Sequence, residues 1–262
     1  MFKRFALVML AGAVAALAQA GGVPGRGQGM GAMRLLGAEP GRPDRVVTGA
    51  PYSADAVTEI TQMLPDGNTI HQTDTTRIYR DSQGRTRRDP ALNALSAAAP
   101  GTPLPSLAFI NDPVAGVSYV LDLTNHAATK RTLPSPPAGA PATGPRRGLA
   151  NSGNTKTESL GRQLISGIPA DGTRTTVTIP AGQIGNAQPI QIVTENWYSP
   201  DLQIRVLSKR SDPRSGESVF QLNNLSRAEP PSTLFVVPAD FQIVQQMRGM
   251  GMGMRRRGGA PQ

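Results

Sequence analysis

Few side chains in this chain can do covalent chemistry. Among its 262 residues are two histidines, His71 and His126, and no cysteine. Thiol nucleophiles, thiolate metal sites and disulfides are thereby excluded. A Ser/His/Asp triad needs its serine on a strained elbow of the Gly-x-Ser-x-Gly kind, and the sequence holds no such segment. No histidine or carboxylate group has metal-ligand spacing. The acid pairs Asp112/Asp122 and Glu195/Asp201 have the composition of a glycosidase dyad. Each of these carboxylates also sits where a turn cap or a wet strand face accounts for it. Arg214-Ser215-Gly216 and Asp171-Gly172 read as turns, because a phosphate loop needs a strand, then glycines, then a helix start. These residues imply a non-enzymatic protein without a cofactor or a catalytic residue.

Two features point to binding instead. Trp197 and Tyr198 are adjacent in an extended stretch, so their side chains face opposite ways. Trp197 then belongs to the core, and Tyr198, next to a turn, to the rim of a ligand groove. Both are candidate ligand-binding residues. The second feature is a tail carrying Met247, Met250, Met252 and Met254 spaced by Gly and Arg. Thioethers so spaced are ligands for Cu(I), a soft cation. The bland alternative is a low-complexity tail, and the similar Gly29-Met30-Gly31 supports that alternative.

Strands must position these residues. Leu202, Ile204 and Val206 point one way and Gln203, Arg205 and Lys209 the other, a period of two that marks a sheet with one buried face. Pro200-Asp201 and the Asp212–Gly216 segment are turn chemistry on either side. Upstream, residues 54–64 read as a strand, with a helix as the rival reading. The following Pro65-Asp66-Gly67-Asn68 and the β-branched Thr69 and Ile70 favour a hairpin. Separate strands are expected at 69–73 and 75–80, then a turn at Asp81-Ser82-Gln83-Gly84. Short strands follow around 107–111, 117–122 and 127–133. Pro169-Ala170-Asp171-Gly172 reads as a hairpin turn between strands 157–167 and 173–179. Asn223-Asn224 breaks an alternation and suggests a bulge. Residues 234–238 and 240–244 return apolar side chains to close the core. About ten strands and no confident long helix predict an all-β, mainly antiparallel fold. It is a single strongly bent sheet, closed as a half-barrel or a sandwich.

Composition sets the boundaries. Residues 1–20 carry Lys3 and Arg4, an apolar run and Ala18-Gln19-Ala20, the pattern of a signal peptide. An uncleaved anchor is the alternative, and no other stretch suits a membrane helix. Glycine (29) and proline (24) gather in three tracts. They mark a flexible segment at 21–44, a disordered insertion near 134–156 and a Gly/Met/Arg tail at 245–262. One β domain is expected over 45–244, although the insertion also reads as an interdomain linker. The formal net charge is +9. For an exported chain, periplasmic or extracellular, an anionic envelope surface is a better counterpart than nucleic acid. The function implied is binding of an apolar ligand or a protein partner in the envelope, with lipid or an envelope protein as the partner. The alternative is a scaffold acting through its basic tails.

Three segments carry a resemblance: Ile78-Tyr79-Arg80-Asp81-Ser82-Gln83-Gly84-Arg85, Glu195-Asn196-Trp197-Tyr198-Ser199-Pro200-Asp201-Leu202 and Leu234-Phe235-Val236-Val237-Pro238-Ala239-Asp240-Phe241. Together they resemble an uncharacterised family of bacterial secreted proteins over residues 46–244. The order of a tryptophan strand, a charged hairpin, an Asn-Asn-Leu strand and a closing Leu-Phe…Pro segment also resembles the lipoprotein-carrier and sigma-regulator superfamily. That resemblance implies a bent antiparallel half-barrel whose concave face takes acyl chains or peptides.

Overall fold

The computed structural model describes residues 46–64, 66–92, 101, 105–133 and 154–245. The signal segment, the 21–44 tract, residues 134–153 of the proposed insertion and all four tail methionines lie outside the described residues.

The strands form in two runs. The first is β1 (Tyr52–Met63), β2 (Thr69–Arg80), β3 (Thr86–Pro90), β4 (Leu107–Asp112), β5 (Val117–Asp122) and β6 (Ala127–Thr132). The second is β7 (Thr155–Ile165), β8 (Ile168–Ile179), β9 (Ile190–Ser199), β10 (Ile204–Asp212) and β11 (Gly216–Ser226). Each run is an antiparallel meander. Pairing of β1 with β11 splices them, and β12 (Gln242–Gln245) adds in parallel to β6. The result is one 12-stranded sheet, ordered β12-β6-β5-β4-β3-β2-β1-β11-β10-β9-β8-β7, with β12 and β7 at its edges. It is a single open sheet and not a sandwich of two.

Most turns follow their chemistry. Gly67 takes φ +85°, and the Asp66 carboxylate accepts a hydrogen bond from the Asn68 N–H, closing the β1–β2 hairpin. Asp112 accepts from the N–H groups of Val114 and Ala115, and Asp122 from those of Thr124 and Asn125. The bulge lies where Asn223-Asn224 placed it: the β1–β11 register shifts between Ser53 and Asp55, and Asn224 has φ +51°.

Four expectations are corrected. Residues 69–80 form one strand, because every residue from Thr69 to Arg80 keeps a partner on β1. The twelve strands exceed the expected ten. The insertion near 134–156 ends before Thr155, where β7 begins. The hairpin turn between β7 and β8 is Ser166-Gly167, both at positive φ, and Pro169-Ala170-Asp171-Gly172 lies inside β8. Gly172 is there for packing. A Cβ on it would come within 2.6 Å of the Trp197 ring, which occupies the space of the missing side chain.

The core divides between the sheet's two faces. One cluster gathers Tyr52, Ala54, Ala56, Ile78, Leu202 and Leu222 with the buried Trp197, Ile204 and Val206. A smaller one is Ala108, Ile110, Leu121 and Ala128, flanked by Val237 and Phe241. Ile78 pairs with Arg88 and Arg88 with Phe109, so these three share a face and the adjacent Ile110 points to the other. The buried face therefore changes sides across β3, whose five residues are all half-buried.

Different segments cover the two patches. After β11 the chain crosses the short strands as a strap over residues 227–241, turns once at Ser232–Phe235, and pairs as β12 with β6. The three segments that carry the resemblance meet beneath its start. Buried Arg80 stacks over the Tyr52 ring at 4.7 Å and donates to the carbonyls of Ala50 and Leu202. Asp81, also buried, accepts from the Arg85 N–H and pairs with its Nε at 2.6 Å. Arg85 in turn lies 5.2 Å over the ring of Phe235. These segments form the joint of the fold.

Candidate functional site

The sequence-derived candidates among the described residues have definite places; Met247, Met250, Met252 and Met254 lie outside them. Trp197 is buried against Gly172 and belongs to the core. Tyr198, the next residue, is 44% exposed. Their opposite facing is as expected for neighbours on a strand.

The register builds a row around Tyr198. On β8, Asp171 stands opposite it, and Arg162 of β7 stands opposite Asp171. On β10, Arg205 stands opposite Tyr198 on the other side. The row Arg162–Asp171–Tyr198–Arg205 thus crosses four strands on one face. Leu164, two residues beyond Arg162 on the same face of β7, is 71% exposed. Arg162 grips Asp171 with two bonds, Nε to Oδ1 at 2.7 Å and Nη2 to Oδ2 at 3.0 Å. This bond holds the Asp171 carboxyl below the usual carboxylate range. The two bonds fix the orientation of the Asp171 carboxylate within the row. Among the described residues, β7 pairs only with β8 and its outer side is a sheet edge.

The sequence singled out Tyr198 as a candidate but not its neighbours in the row, Arg162, Asp171 and Arg205. With Ser166-Gly167 taken as the turn, counting outward sets Arg162 opposite Asp171, whereas the pairing of Asp171 with Tyr198 depends on the β8–β9 register, which no local pattern marks.

The remaining candidates are committed to structure. Glu195 accepts from Arg174 Nη2 at 2.6 Å, and Arg174 also reaches Glu158 at 3.2 Å. Glu158, Arg174, Glu195 and Lys209 alternate in sign along one register row, a cross-strand charge ladder. Asp112 and Asp122 cap turns. His71 meets the Thr61 hydroxyl at 3.0 Å. His126 pairs through Nδ1 with Asp240 at 2.6 Å and stacks on Phe241, fastening the strap.

A polar depression lies at the bulge, lined by Ser53, Asp55, Arg77, Tyr79 and Asn224. Its volume is about 190 Å³, below the ~300–1,000 Å³ of most ligand pockets. Bonds from Asn224 at 2.8 Å and Arg77 at 3.1 Å hold the Asp55 carboxyl below its ordinary range. No group of histidines and carboxylates able to hold a metal ion occurs among the described residues. No described helix is long and apolar enough to cross a membrane.

No protein-family model and no curated protein matches the chain. Several solved structures do. The MucA/MucB complex of Pseudomonas aeruginosa is 16% identical, with a TM-score of 0.41, over 75% of this chain and 58% of that one. This chain thus spans little more than half of the MucB length it matches. An uncharacterised conserved protein from Thermus thermophilus is 11% identical, with a TM-score of 0.40, over 75% of this chain and 91% of that one. A LolA-superfamily protein from Nitrosomonas europaea is 12% identical, with a TM-score of 0.30, over 78% and 97% of the two chains.

Proposed function

We propose that this chain is a non-enzymatic binding module of the cell envelope, and that it takes a segment of a partner protein along the face bearing Tyr198, beside the outer strand β7. The observation that carries this reading is the row itself. An exposed tyrosine stands between an arginine and an arginine–aspartate pair, with an exposed leucine on the same face. Tyrosine and arginine are the side chains most enriched where binding energy concentrates. The open edge of β7 supplies backbone groups for an added strand. Gly161, at φ +74° beside a register shift, divides that edge into two regular stretches, Thr155 to Ser159 and Arg162 to Ile165, the second of which carries Arg162 and Leu164 beside Tyr198.

An apolar ligand has less support. Ala56, Ile78 and Leu222 are already covered, and the strap lies over Ile110 and Leu121. Export rests on the N-terminal pattern of residues 1–20, and the basic 245–262 tail adds attraction to an anionic surface without choosing the partner.

The test is a photo-crosslinking residue placed at Tyr198 in the full chain, expressed in its own cells. A discrete crosslinked protein is expected, and it should weaken sharply when Leu164→Ala and Arg205→Ala are added. With that partner purified, Tyr198→Ala should reduce affinity at least tenfold, about 1.4 kcal/mol. Crosslinks identical to those from a probe at Thr178 overturn the proposal. So does a stoichiometric lipid in native mass spectrometry whose binding ignores Tyr198→Ala.

A further inference from the structure

The strap is fastened unevenly. Its first half is locked. Glu229 accepts from the Ser82 N–H and hydroxyl, Arg87 Nη1 donates to the Leu234 carbonyl, and Phe235 is 2% exposed beneath Arg85. Its second half is held from the surface. Residues Gln242 to Gln245 make the sheet's only parallel pairing among the described strands. The anchors before it are Phe241, half-buried, and the His126–Asp240 pair, in which each side chain is 57% exposed. The Gln242 N–H donates to the His126 carbonyl, and His126 holds a left-handed φ of +51° to present that carbonyl. Ile243 and Val244 remain largely exposed. Under this half lies the smaller cluster, the one apolar patch that can be uncovered without parting β1, β2 and β11.

We infer that residues 236–245 are a displaceable occupant, and that the edge of β6 with its apolar patch is a docking groove for an extended segment of another protein. The chain's own segment shows the chemistry that fits. Val237 and Phe241 rest on Ala108, Ile110, Leu121 and Ala128, and a four-residue strand then runs parallel to β6. A competing segment therefore needs a bulky apolar residue, an aromatic four positions on, and a short extended stretch directly after the aromatic. Such a segment replaces β12 on β6 by strand addition while Phe235 stays in place. The groove lies at the edge opposite β7 and stands independently of the Tyr198 reading.

The probe is a labelled peptide copying residues 236–245, added to the full chain. Phe241→Ser loosens the resident segment without touching the groove. It should raise amide exchange of Ala127 to Lys130 at least tenfold, leave the β1 and β2 amides unchanged, and bind the peptide at least tenfold more tightly than the wild type. Asp240→Asn, which removes only the carboxylate facing His126, should shift both readouts the same way by a smaller factor. A peptide with serine in place of both aromatic and aliphatic anchors should not bind. The inference is overturned if Ala127 to Lys130 exchange at the wild-type rate in both variants, or if the peptide binds wild type and Phe241→Ser equally. Loss of the Tyr198 crosslink with peptide binding intact would leave the groove standing and sink only the other site.

Discussion

The long strands around β1 and the short strands around β5 solve one problem in opposite ways. On β1, β2 and β11 the apolar side chains lie on the face of Ile78 and are covered by chain from the β9–β10 turn and from residues before β1. On β4 to β6 they lie on the face of Ile110 and are covered by the strap. A sheet with one greasy face needs one cover; a sheet whose greasy face changes sides needs two. The two covers differ in kind. The first is tied through a buried guanidinium; the second is locked at its start by Phe235 and Arg87, but over the smaller cluster it is held by exposed side chains and four residues of parallel strand. Stability should therefore concentrate in the long-strand region, leaving the short-strand wing as the part that opens first.

Arg80 is the sharpest way to break that asymmetry. Arg80→Ala strips the Ala50 and Leu202 carbonyls of their donor and leaves space beside the Tyr52 ring. A loss of about 3–5 kcal/mol in global stability is expected, from two buried carbonyls losing a charged donor and from the cavity left beside the ring. Urea unfolding followed by circular dichroism measures it, and a loss under about 1 kcal/mol would make the joint ornamental.

The next test sets the regions side by side with one chemistry. Leu222 and Leu121 are both fully buried. Leu222→Ala should lower global stability by about 2–5 kcal/mol. Leu121→Ala removes the same atoms, but its effect should appear first as faster amide exchange confined to β4, β5, β6 and β12. Equal acceleration across the sheet in both variants would show that the wing and the long strands unfold as one unit.

A smaller effect is expected at Gly172, where the sequence misled. Gly172→Ala sets a methyl 2.6 Å from the Trp197 ring, which must shift. A cost of about 1–3 kcal/mol is expected, with a change in tryptophan fluorescence. Reading Pro169-Ala170-Asp171-Gly172 as a turn followed ordinary turn chemistry. The glycine serves instead as a notch for an aromatic from the neighbouring strand, a requirement visible only once the strands are paired. Local patterns, by contrast, were legible. Alternation at Ile204 and Val206, the Asp66-Gly67 hairpin and the bulge at Asn224 each follow from a few adjacent residues, although Leu202, expected on the same strand, is buried from the β9–β10 turn, where Gln203 has φ +54°. Pairings distant in sequence were not: β1 with β11, the parallel β12, and the Tyr198 row all depend on which strands meet. The switch of buried face across β3 was hidden for the same reason, because Thr86, Arg87, Arg88 and Asp89 show no apolar alternation to mark it.

Asp212 sharpens the comparison by pH. At the far end of the long strands its carboxylate accepts Nε and Nη2 of Arg214 at 2.9 and 2.8 Å, the Arg214 N–H at 3.1 Å, and Nη2 of Arg210 at 3.3 Å. The side-chain bonds from Arg214 are the main cause that lowers its pKa from 3.8 to about 2, against the cost of burial. A carboxyl that ionises more readily folded than unfolded stabilises the fold above its unfolded value, and that contribution fades as pH falls from about 4 through about 2. The contribution is about 1–2 kcal/mol, since both arginines are partly solvated. Asp212→Asn should therefore cost that much at pH 7 and almost nothing at pH 2. The loss should be read in β10 and β11, with exchange in β4 to β6 unchanged. If the variant and the wild type keep the same stability gap from pH 7 to pH 2, the carboxylate acts through shape alone and its charge holds nothing in place.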